Sequence, residues 1–149
     1  MLNDPRFEKI AFEDIPLNRD IFVMDEKWMP EYEREWLKHF SGEEANTHLG
    51  FISYAACRSI GDNWLEMSWY TNTSDRFHEV PVFLPKSAFV ECVDLWQYDD
   101  KPRVFVNSQW LTELHERPLA AFAIVDAIGV KQLIQTGGAF NKSIAFTSR

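Results

Sequence analysis

"LGFISYAACRSIGDNWLEMSWYTN", residues 49–72, places two apolar arms on either side of Gly61-Asp62-Asn63. On the second arm Leu65, Met67 and Trp69 alternate with Glu66 and Ser68. That two-residue period is the pattern of a half-buried strand. The first arm, residues 51–57, is apolar enough to be a buried strand or a helix. We take it as a strand, so that the two arms form a hairpin and the fold contains a sheet.

The flanking segments extend that sheet. "EVPVFLP", residues 79–85, reads as a short strand whose prolines place it near a sheet edge. Residues 98–102, "YDDKP", read as a turn leading into a strand at 103–106. The first twenty residues, with Pro5 and Pro16, read as an extended entry with a short strand at 7–12. Residues 87–98 carry two patterns. Phe89, Cys92, Val93 and Trp96 have helical spacing with Ser87 as a cap, while the valines and aromatics suit a strand. Of the two, the helix is favoured.

Residues 29–42, "MPEYEREWLKHFSG", form the cleanest helical pattern. Pro30 suits a first turn, and Glu31 and Glu33 lie near the positive end. Tyr32, Trp36, Leu37 and Phe40 make one apolar stripe, and Gly42 is a natural stop. Asn107 or Ser108 caps a second short helix at 109–116, with Trp110, Leu111 and Leu114 inward. The expected fold is a single α+β domain over residues 1–149. Its sheet is mainly antiparallel with four to six strands, and two or three helices pack against it.

Residues 122–134, "FAIVDAIGVKQLI", are the most apolar stretch, with Asp126 at the centre. Two structures fit residues 119–135. In one, a central strand ends at Asp126, which caps a helix stopped by Gly137-Gly138; the sheet is then mixed. In the other, one long helix follows Pro118. The β-branched Ile124-Val125 and the mid-segment Gly129 favour the first. A carboxylate at the end of a central strand is also a common place to hold Mg²⁺. Locally, "FAIVDAIGVK" resembles the opening strand of class III nucleotidyl cyclase-type catalytic domains. The resemblance covers residues 121–132 and implies that Asp126 is a metal ligand. It also implies a second metal-binding Asp downstream, whereas the 23 residues after Asp126 contain no Asp or Glu.

Composition narrows the function classes. Of the 149 residues, 46% are hydrophobic and 15% aromatic, enough large apolar surface to fold without disulfide staples. The two cysteines, Cys57 and Cys92, read as buried free thiols. The net charge of −8 disfavours nucleic acid and anionic membrane surfaces as partners. The acidity is concentrated in residues 1–117, with 22 Asp/Glu against 12 Lys/Arg. The first twenty residues lack an apolar signal core and no uncharged run can span a bilayer, so a cytoplasmic location is expected.

No zinc spacing links His39, His48, His78 and His115, no phosphate-binding glycine loop occurs, and no cofactor is expected. Two segments suit partner recognition. In residues 67–81, Trp69, Tyr70, Phe77 and His78 flank a polar loop that includes Asp75. In residues 97–103, Asp99 and Asp100 pair two carboxylates at a turn. The expected function is an inhibitor- or immunity-like binding module for a basic protein partner, steered by complementary charge. The alternative is a metal- and nucleotide-dependent enzyme using Asp126, as a whole or as the leading part of a cyclase-like domain.

Overall fold

The hairpin forms as expected. β3 (Phe51–Ile60) runs antiparallel to β4 (Trp64–Thr73), with Ala55 opposite Trp69 and Cys57 opposite Met67. The Gly61 amide donates to the Trp64 carbonyl at 2.9 Å and closes the turn. The computed structural model of the chain describes residues 2–73, 76–95, 97–98 and 101–116, with backbone alone for 71–73, 76–78, 115 and 116. The 119–135 segment, including Asp126, lies outside the described residues.

Around this hairpin the described residues build one sheet of seven strands, where four to six were expected. The further strands are β1 (Glu8–Ile10), β2 (Asp20–Asp25), β5 (Arg76–Pro85), β6 (Phe89–Asp94) and β7 (Arg103–Val106). Their order is β1-β6-β7-β2-β3-β4-β5. Every pairing is antiparallel except β2 with β7, so the sheet is mixed. The proline-bearing β5 occupies an edge, as its composition requires.

Among the described residues two α-helices, α1 (Met29–Phe40) and α2 (Ser108–Glu116), cover opposite faces. The alternation along the central strands dictates this. Ile21, Val23, Val104 and Val106 face one core with Trp110 and Leu111 of α2. Phe22, Met24 and Phe105 face the other, with Met29, Tyr32 and Trp36 of α1. Each such fully buried side chain contributes roughly 1.5–3 kcal/mol.

Both helices are closed by local chemistry. Asn107 caps α2, its side-chain oxygen accepting from the amides of Gln109 (2.9 Å) and Trp110 (3.2 Å). At the end of α1 the Gly42 amide donates to His39 (3.0 Å) and the Glu43 amide to Lys38 (2.9 Å). Those two bonds form a Schellman motif, and Gly42 takes the positive φ of 78° that it needs. The α1 stripe is narrower than the sequence suggests, since Leu37 is exposed.

The helix favoured for residues 87–98 is corrected: residues 89–94 are strand β6, preceded by a 3-10 turn at Lys86–Ala88. The register shifts between Phe89 and Glu91, so two residues face one partner. That slip puts Phe89 and Cys92 against the same core, three residues apart, while Val93 joins the opposite core. A bulged strand buried on both faces thereby reproduces helical spacing.

Candidate functional site

The half of the sheet built by β3, β4 and β5 presents two different faces. Its inner face is apolar: Ala55, Cys57, Leu65, Met67, Trp69, Val82 and Leu84 all join one core. Its outer face carries the alternate residues. Tyr54, Arg58, Ser68, Tyr70 and Glu79 point there because each is one residue out of phase with a core position. Tyr70 lies opposite Glu79 across β4 and β5.

Arg58 organises this face. It donates to Ser68 Oγ at 3.0 Å, Asn18 Oδ1 at 3.1 Å, Tyr70 Oη at 3.2 Å and Glu79 Oε1 at 3.5 Å. The planar fork ties four segments together in a way an ammonium group cannot match. Beside it lies an open recess of about 470 Å³, walled by Asp20, Tyr54, Tyr70, Glu79 and Lys101. Tyr54 is 41% exposed and continues an aromatic row, 5.0 Å from the rings of both Phe22 and Phe51. Burial pushes the Tyr70 phenol above its ordinary pKa; Asp20 and Glu79 push the same way and Arg58 opposes them.

The residues singled out in the sequence fall in different places. Trp69 is 6% exposed and packs in the core, so it is not available as a partner anchor. Its neighbour Tyr70 points the other way, into the recess wall. Phe77 and His78 lie on β5 opposite Asn72 and Thr71. Asp75, Asp99, Asp100 and Asp126 lie outside the described residues. The sequence reading missed Asp20, Tyr54, Arg58 and Glu79. Carrying the Glu66–Ser68 alternation one step on to Tyr70, and across the hairpin, leads to Tyr54.

A second polar cluster joins the end of β2, the central strand, to the start of α2. Asp25, buried at the end of β2, accepts from the Ser108 hydroxyl and from the Lys27 amide at 3.0 Å. Glu26 accepts from the Ser108 amide at 3.3 Å. These carboxylates serve the backbone at a helix start. Among the described residues no group of three or more His, Cys, Asp or Glu is placed to hold a metal ion. Cys57 and Cys92 are free and buried. Burial raises the Cys57 thiol to about 11 and lifts Cys92 further still. Neither is suited to act as a nucleophile near neutral pH. Among the described residues no helix is long and apolar enough to cross a membrane.

Compared with protein-family models, curated proteins and solved structures, the chain matches none.

Proposed function

We propose that the protein acts by binding a basic protein partner, in the manner of an inhibitor- or immunity-type module. The observation that carries this reading is the recess on the outer face of β3–β5, where the Tyr54 and Tyr70 side chains adjoin the Asp20 and Glu79 carboxylates. Tyrosines held by a rigid sheet supply contact area at little entropic cost, and such residues dominate binding energy at interfaces. The net charge of −8 adds a long-range term that favours encounter with a cationic surface.

The experiment has two stages. Affinity capture on the immobilised chain recovers candidates, and each is then purified and its affinity measured at low and high salt. The reading expects a basic partner whose binding weakens as salt rises, and weakens again with Tyr54→Ala. A partner indifferent to both salt and Tyr54, or no partner at all, contradicts it.

A further inference from the structure

The recess holds two carboxylates in different states. Glu79 is engaged by Arg58, whose guanidinium is shared with Tyr70, Ser68 and Asn18. The Asp20 carboxylate is exposed and makes no hydrogen bond or ion pair among the described residues. Asp20 sits opposite Ala56 on β3, two residues from Tyr54, so carboxylate and ring are diagonal neighbours. Resting on the binding reading above, we infer that the recess seats one lysine or arginine side chain of the partner. Its head lies on Asp20 and its aliphatic stem against Tyr54 and Tyr70.

The chemistry of the walls fits that occupant. A cation gains from the open carboxylate and from the aromatic rings, while its methylenes cover tyrosine surface. Glu79 is already neutralised by Arg58 and contributes less. Lys101 stands on the same wall.

The test is a chemical-shift titration of the whole chain with a capped Gly-Gly-Arg-Gly-Gly peptide and its Glu counterpart. The arginine peptide is expected to shift the amides of Asp20, Tyr54 and Tyr70. Asp20→Asn should weaken it about two- to fivefold, the scale of one exposed ion pair, and Glu79→Gln should weaken it less. The inference is overturned if those amides do not move or if Asp20→Asn binds equally well. It is likewise overturned if the glutamate peptide binds the tighter of the two. Should the peptide fail while a purified basic partner still binds in a salt-dependent way, the seat falls and the binding reading stands. If neither binds, both fall.

Discussion

Arg58 on β3 reaches across to β4 and donates a hydrogen bond to the Tyr70 hydroxyl at 3.2 Å. The same guanidinium spans Asn18, Ser68 and Glu79, so one side chain fixes the outer face of three strands. Replacing it with methionine should cost about 1 kcal/mol, since the bonds are partly solvated. Arg58→Lys should not restore the loss, because a single ammonium cannot serve the same fork. Urea unfolding of the two variants checks this.

Trp69 and Tyr70 are neighbours in sequence with opposite duties. Trp69→Ala removes a core ring and is expected to cost about 3–5 kcal/mol. Tyr70→Phe keeps the ring and removes the hydroxyl that Arg58 holds; it should change stability by no more than about 1.5 kcal/mol while weakening partner binding. Thermal melts paired with binding measurements separate the two. Equal effects of both substitutions on stability would contradict the assigned faces.

Gly42 and Gly50 share a φ of 78°, yet they differ in surroundings. A Cβ on Gly42 meets nothing within 4 Å, whereas one on Gly50 lies 2.7 Å from the Trp28 Cβ. Gly42→Ala should cost roughly 1–2 kcal/mol from the left-handed conformation alone. Gly50→Ala should cost more, because Trp28 has to move as well. Denaturant midpoints of the two variants give the comparison.

The acidic and alkaline limbs of stability have separate causes. Hydrogen bonds from Arg6 hold the Asp4 carboxyl at about 2, below its ordinary 3.8. That contribution is present above pH 3.8 and is lost as pH falls through about 2. Burial raises the Cys57 thiol from 9.0 to about 11, so the unfolded chain ionises first. Stability should accordingly decline as pH rises from 9.0 to about 11. Cys57→Ser should make that decline shallower in a pH series of unfolding curves, the remainder coming from Cys92, which burial raises further. Native protein at pH 8 should also resist thiol reagents until it is unfolded.

Much of the architecture was legible where one physical signal acted alone. The turn at Gly61–Asn63, the prolines of β5, the stripe and stop of α1, and the Asn107 cap each follow from local chemistry. Reading failed where two signals interfered. In β6 a bulge and burial on both faces produced a helical spacing. β2, "DIFVMD", is a continuous apolar run rather than an alternation, because helices cover both of its faces. The site was less legible. Tyr70 came from its aromatic character, whereas Asp20 and Glu79 meet it through a strand order that no local pattern encodes.

The most direct measurement of the central claim is the affinity of a purified basic partner for wild type and for Asp20→Asn/Tyr54→Ala, at low and at high salt. The predicted result is at least about tenfold weaker binding by the double variant, about 1.4 kcal/mol, with the native fold retained in its circular dichroism spectrum at the assay temperature. The salt dependence should also be shallower than that of wild type. A double variant that binds as tightly as wild type, with the same response to salt, would place recognition elsewhere and contradict the account.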